Sequence, residues 1–156
     1  MDEDCTLLWE WVNDSEVRAS AFHSDPIPWE KHVAWFRRKR VDPNCYIYIL
    51  VNQDDHPVGQ VRFEIQADGS AEVDIALARH QRGHGYGVKA LRLACEQLRK
   101  SATVTQIVAY IKPQNVASIR AFERAGFLHR GKEWVKGIEA VGMILRREQP
   151  FDTADA

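Results

Sequence analysis

Ala71-Glu72-Val73-Asp74-Ile75-Ala76-Leu77, then Arg82-Gly83-His84-Gly85-Tyr86-Gly87, then the run from Val88 to Leu98: this stretch decides how the chain folds. The first segment alternates charged and apolar residues as far as Ala76, which predicts a strand with one buried face. In the last, Val88, Leu91, Cys95 and Leu98 recur at helical spacing, with Lys89, Arg92, Glu96 and Arg99 on the other side. Three alternate glycines between them let the backbone pass close to a ligand with its amide N–H groups turned outward. The N-terminus of the following helix adds positive dipole, so the loop suits an anion, a phosphate above all.

Loops of this composition serve several chemistries. A Walker loop needs Lys-Ser/Thr after its last glycine, whereas Gly87 is followed by Val88-Lys89-Ala90. A Rossmann fingerprint opens near the first strand of a doubly wound sheet and has an acidic residue about 20 residues on. Here the loop lies in mid-chain, after strands that read as a meander.

Arg82-x-x-Gly85-x-Gly87 resembles the Arg/Gln-x-x-Gly-x-Gly/Ala signature of the GNAT N-acetyltransferases. Asn115-Val116-Ala117-Ser118-Ile119-Arg120-Ala121-Phe122-Glu123-Arg124-Ala125-Gly126-Phe127 is similar to that family's second block, Asn-x-x-Ser/Ala-x-x-x-Tyr-x-x-x-Gly-Phe. Two blocks in this order, separated by one helix and one strand, are far more specific than either alone. The resemblance spans roughly Cys5 to Arg147.

Bulk properties are ordinary for a soluble globular protein. The 156 residues fit one domain, drawn here at 1–148, with 149–156 expected to be a disordered tail. A net charge of -1 makes no electrostatic case for nucleic acid or an anionic membrane. Cys5, Cys45 and Cys95 are too few and too scattered for a disulfide framework or metal cluster. His80 and His84 are four apart, but around a turn, and no metal is expected. With no membrane span or signal peptide apparent, the chain reads as cytoplasmic.

In order, the pattern predicts a helix from Cys5 to Val12, a short helix capped near Asn13-Asp14-Ser15, and a loop over Phe22 to Pro28. A second amphipathic helix follows from Trp29 to about Lys39. Strands are expected at Tyr46 to Val51, Val58 to Ile65, the central segment, Gln106 to Ile111, Phe127 to Val135 and Ile138 to Leu145. Asn115 caps the helix between the fourth and fifth of these. This order matches the GNAT fold, so the resemblance implies the fold class α/β with a mixed sheet: mostly antiparallel, a parallel central pair, helices on both faces. The family begins with a strand before its first helix, and here only Met1-Asp2-Glu3-Asp4 precede that helix. That strand is missing or shortened, which leaves the sheet edge and the oligomeric state open, a homodimer included.

The resemblance implies acetyl-CoA as cosubstrate, lying where the central strand parts from the next one. It assigns the backbone of Leu77 to the pantetheine arm, Arg82, Gly83, His84, Gly85, Tyr86 and Gly87 to the pyrophosphate, and Asn115 and Ser118 to further contacts from the next helix. A backbone amide of the central strand would stabilise the oxyanion. The acceptor amine must lose a proton, and Glu72 and Asp74 share one strand face beside Gln60, Arg62 and Glu64. Asp74 or Glu72, working through water, is the preferred base; the simpler alternative is a solvated strand face. The family's tyrosine, which protonates the departing thiolate, is Phe122 here. Ser118, Tyr86 and Tyr110 are substitutes, or the thiolate leaves without an acid.

A narrower likeness concerns the acceptor. Leu8 to Arg18, Trp29 to Phe36 and Pro57 to Phe63 resemble a GNAT group that acetylates nucleotide-linked deoxyaminosugars, as in pseudaminic acid synthesis. His23, Ser24, Gln60, Arg62 and Glu64 are the expected acceptor contacts, Arg62 meeting a nucleotide phosphate. The alternatives are an N-terminal acetyltransferase of the ribosomal-protein type and a non-catalytic acyl-CoA-binding module.

Overall fold

A computed structural model describes residues 2–147. Three helices open the chain: α1 (Glu3–Val12), α2 (Ser15–Ser20) and α3 (Trp29–Arg40). Strands β1 (Cys45–Val51), β2 (Pro57–Ile65) and β3 (Ala71–Leu77) form the expected meander, and a 3₁₀ turn (Arg79–Gln81) leads to α4 (Tyr86–Ser101). The rest is β4 (Gln106–Ile111), α5 (Val116–Arg124), β5 (Leu128–Val135) and β6 (Ile138–Arg146). The expected tail lies outside the described residues.

The six strands make one sheet in the order β1-β2-β3-β4-β6-β5. Every pairing is antiparallel except β3 with β4. Among the described residues no strand precedes α1. Instead Asp2 caps α1 by accepting the Asp4 N–H at 3.1 Å.

Alternation along the strands sorts the molecule into two layers. On one face, Val61, Phe63, Val73, Ile107, Met143 and Leu145 bury against Leu91, Cys95 and Leu98 of α4 and Phe122 of α5. Each large side chain sealed there contributes roughly 1.5–3 kcal/mol. On the other, Cys5, Leu8 and Trp11 of α1 join Phe36 of α3 against Ile47, Ile49 and Ala78. His32 is buried in this second layer between the rings of Trp35 and Phe36, and its Nε2–H donates to the Cys5 carbonyl at 2.9 Å. Desolvation pushes its pKa below the ordinary value, so it is a neutral core histidine. Of the N-terminal tryptophans, Trp11 is buried, half-buried Trp29 and Trp35 pack on its cluster, and half-buried Trp9 meets the Trp29 ring edge-on.

The feature that positions the site is a gap. Strand β3 meets β4 only at Ala71↔Ile107 and Glu72↔Val108, while β4 stays paired with β6 from Gln106 to Ile111. Beyond Glu72 the two central strands part. The Ala78 N–H donates to the Val58 carbonyl at 2.9 Å. By the alternation of an antiparallel ladder, Ala76 and Asp74 therefore also turn their backbone groups to β2. Ile75 and Leu77 turn theirs toward the side that β4 has left.

Candidate active site

The glycine loop closes the top of this gap. Gly83 (φ 79°) and Gly85 (φ 78°) are both left-handed, a conformation that side-chain-bearing residues rarely adopt. A Cβ at either would meet no atom within 4 Å, so conformation and not crowding demands glycine there. Gly85 is the N-cap of α4 and offers no side-chain acceptor, so the first N–H groups of the helix are left for another partner. Gly87 differs: it lies inside the first turn, and a Cβ would make ordinary 3.8 Å contacts with Ala121 and Leu77. His84 and Tyr86 stand side by side, ring centroids 6.1 Å apart.

Arg82 belongs to this loop by its backbone, but its side chain turns toward the N-terminal helices. Its guanidinium donates to Asp14 Oδ1 (3.0 Å), to the Leu77 carbonyl (3.1 Å) and to the Glu16 carboxylate. Arg79 joins the same cluster, with Nε donating to Asp14 Oδ2 and a terminal nitrogen to the Ser15 hydroxyl, both at 2.8 Å. Asp14 also caps α2, accepting from the Glu16 and Val17 N–H groups. Desolvation raises the Asp14 carboxyl, but the hydrogen bonds from Arg79, Arg82 and Val17 and the Arg82 charge outweigh it and bring its pKa to about 2.

The face carrying Gln60, Arg62, Glu64, Glu72 and Asp74 is assembled by strand register, which sets Arg62 opposite Asp74 and Glu64 opposite Glu72. Gln60 Nε2 donates to Asp74 Oδ2 at 3.2 Å. Arg62 lies 3.8 Å from Asp74 and 3.7 Å from Glu64, its guanidinium 5.1 Å from the Trp35 ring centroid. Lys39 reaches in from α3 to bond the Glu64 carboxylate. Among the described residues nothing pairs with Glu72. Desolvation, then the nearby Glu64 and Asp74 carboxylates, hold its carboxyl above the usual range against the pull of Arg62.

His23 and Ser24 are not gathered into that cluster. The loop is held by its backbone: Arg18 donates to the carbonyls of Val12 (2.6 Å) and His23 (2.7 Å), and Asn13 and Trp9 bind Ile27. The His23 ring is 3.9 Å from Asp25, and no described hydrogen bond joins His23 or Ser24 to Gln60, Arg62 or Glu64.

On α5, Asn115 Oδ1 accepts the Ser118 N–H at 3.2 Å, the cap read from the sequence. Phe122 is buried edge-on against Phe127, centroids 4.9 Å apart, so the position of the family tyrosine is here an apolar core position. The Tyr110 hydroxyl accepts from Arg130 at 3.1 Å, and Arg130 is forked onto Glu133. No group of three or more His, Cys, Asp or Glu among the described residues is arranged to hold a metal ion. Nor is any helix there long and apolar enough to cross a membrane.

Sequence reasoning missed Arg18, Arg79, Trp35 and Lys39. Asn13-Asp14-Ser15 was legible as a cap, but nothing in it announces two arginines more than 60 residues away.

A parted central pair, a left-handed glycine loop at an uncapped helix and a carboxylate-bearing strand face define an acyl-CoA-dependent transferase of the GNAT type. A family model described as an acetyltransferase (GNAT) domain matches residues 1–128, and the chain belongs to that family. It is an acetyl-CoA-dependent N-acetyltransferase. The chain is similar to an aminoglycoside N(6')-acetyltransferase type 1 of Klebsiella pneumoniae, 24% identical over 94% of this chain and 80% of the relative. A kanamycin resistance protein of Rhizobium radiobacter is 35% identical over 51% of this chain and 75% of its own length. Solved structures share the fold, two of them as follows. AAC(6')-Ib in complex with ribostamycin and coenzyme A gives a TM-score of 0.79 at 24% identity, covering 92% of this chain and 88% of that one. Spermidine N-acetyltransferase from Vibrio cholerae, with CoA and spermine, gives 0.83 at 16% identity, covering 96% and 94%.

Proposed function

We propose that the enzyme acetylates a primary amine on a small cationic acceptor, an amine-bearing sugar or a polyamine, with Glu72 as the base. The observation that carries this reading is the unpaired, raised Glu72 carboxylate at the point where β3 and β4 part, with Asp74 two residues further on the same face. A carboxylate poised above the usual range can take a proton from an ammonium group through water and be restored near neutral pH. Asp74, engaged by Gln60 and Arg62, orients the acceptor.

Acetyl-CoA, when bound, supplies the acetyl thioester. The N–H groups of the Gly83–Gly87 segment and the first turn of α4 hold its pyrophosphate. The outward N–H groups of Ile75 and Leu77 and the Ile75 carbonyl take the pantetheine arm, the Leu77 carbonyl being held by Arg82, and one of these N–H groups stabilises the oxyanion. Asn115 and Ser118 close the opposite side from α5. The CoA thiol, with an ordinary pKa near 8–9, leaves without help from position 122.

A nucleotide-linked aminosugar would ask for a free cation to meet its phosphates. Arg62, the residue expected to supply one, is flanked by Glu64 and Asp74 and stacked on Trp35. Cationic acceptors are also what the relatives' names describe: aminoglycosides and spermidine. The test is turnover with kanamycin, ribostamycin, spermidine, UDP-linked 4-amino sugars and peptides with free N-termini. Acetylation of the aminoglycosides or spermidine is expected; acetylation of the UDP sugars or peptides alone would refute the acceptor class.

A further inference from the structure

We propose that Arg82 is a positioning residue that fastens the glycine loop to the acceptor-side helix α2, and that its guanidinium takes no part in binding the cofactor's phosphates. The proposal rests on the assignment of the Gly83–Gly87 loop to the pyrophosphate. The loop signature alone places an arginine beside an anion, and the natural expectation is direct charge pairing. The geometry points elsewhere. Three of the five N–H donors of the Arg82 guanidinium are taken, by the Asp14 carboxylate, the Glu16 carboxylate and the Leu77 carbonyl, and they hold the side chain toward α2. Arg79 and Arg82 face Asp14 and Glu16, a locally neutral cluster of two cations and two anions. Swinging the Arg82 guanidinium round to a phosphate would break three charge-assisted hydrogen bonds, two of them within ion pairs, and leave carboxylates next to the incoming anion.

Helix α2 gives this clasp a further role. At its start, Asp14 is tied to the chain leaving β3. At its end, the Ala19 carbonyl accepts from Lys112 Nζ at 2.9 Å, on the chain leaving β4. One short helix therefore spans the two strands that part. From the same helix Arg18, whose guanidinium feels the Asp74 charge on the acceptor face, grips the carbonyls of His23 and Asp25. Arg82 and Asp14 thus tie the glycine loop to the loop carrying His23 and Asp25 with or without a bound pyrophosphate, so loosening the clasp displaces both and couples the two substrates.

Asp14→Asn and Arg82→Gln, singly and together, decide the matter because the two roles predict opposite signs. Asn keeps the α2 cap, so the clasp is weakened without unfolding the helix. If Arg82 fastens the loop, Asp14→Asn weakens acetyl-CoA binding about tenfold, as Arg82→Gln does, and the double variant is no worse than the poorer single one. Both variants also raise the acceptor KM, and still do so when S-acetylpantetheine, which has no pyrophosphate, replaces acetyl-CoA as donor. If Arg82 is instead a phosphate ligand restrained by Asp14, freeing it makes Asp14→Asn bind acetyl-CoA more tightly. The Arg82→Gln defect then disappears with S-acetylpantetheine. Either of those two results overturns the proposal. No acetyl-CoA binding by the unmodified protein would overturn the loop assignment itself and this inference with it.

Discussion

Replacing Asp14 by asparagine should make the protein's stability less sensitive to acid, by an amount the structure sets. The carboxyl titrates at about 2 in the folded state against an ordinary 3.8, a difference worth about 2 kcal/mol of folding free energy. Its side chain is 14% exposed, but Arg79 is 53% exposed and the outer ion pair is partly screened. The clasp is therefore worth roughly 1–2 kcal/mol. The folded-state pKa is depressed, so this stability is present above pH 3.8 and is lost as the pH falls through about 2. Urea unfolding of both proteins at intervals between about pH 7 and pH 2.5 measures it. The wild type should lead by roughly 1–2 kcal/mol at pH 5–7, and the gap should narrow steadily below pH 3.8. A gap that stays constant down to about pH 2.5, or none at neutral pH, would refute the account of Asp14 as a charge held by two arginines.

Three further outcomes are expected. Glu72→Gln should lose about 10²-fold in turnover while retaining thermal protection by acetyl-CoA, and the acid limb of its kcat/KM profile should disappear. Because the folded-state pKa of Glu72 is raised, its ionised form opposes folding at neutral pH, so the neutral amide of that variant should leave the melting temperature unchanged or higher; a stable variant with full activity across pH would move the base to Asp74. Gly85→Asp should abolish protection by acetyl-CoA, since it forces a side chain into a φ of 78° at about 1–2 kcal/mol and sets a negative charge at the α4 N-terminus. Phe122→Ala should cost about 3–5 kcal/mol in chemical denaturation by emptying the space against Phe127, and an activity loss beyond that expected from unfolding would contradict a purely packing role.

The fold was readable because its signals are periodic and local. The Glu72–Leu77 alternation, the α4 stripe of Val88, Leu91, Cys95 and Leu98, and the Asn115 cap each follow from spacings of two to four residues. The same periodicity put Gln60, Arg62, Glu64, Glu72 and Asp74 on one face correctly. It could not reveal which of these are already occupied. Arg62 looked free for a phosphate because Trp35 is 27 residues away in the chain, on a helix whose rotation over the sheet no local pattern fixes. Arg82 carried a motif reading that suits its backbone, while its side chain answers to Asp14. The Phe22 to Pro28 loop has the composition of a sugar-binding loop, yet Arg18 and Asn13 hold it by its backbone and leave the His23 ring near Asp25. Composition reports which groups a loop contains, and distant anchors decide where they face.

The two-rung join between β3 and β4 has a consequence for solvent. Along β3, Ala76 and Asp74 commit their amides to β2, whereas Ile75 and Leu77 present theirs to the open side. One continuous strand, with Ala76 buried between two half-buried neighbours, should thus show deuterium uptake that alternates residue by residue: slow at 74 and 76, fast at 75 and 77. Uninterrupted sheets protect all their interior amides alike. Here a periodicity of two, which usually distinguishes the faces of a strand, would be written into its edges.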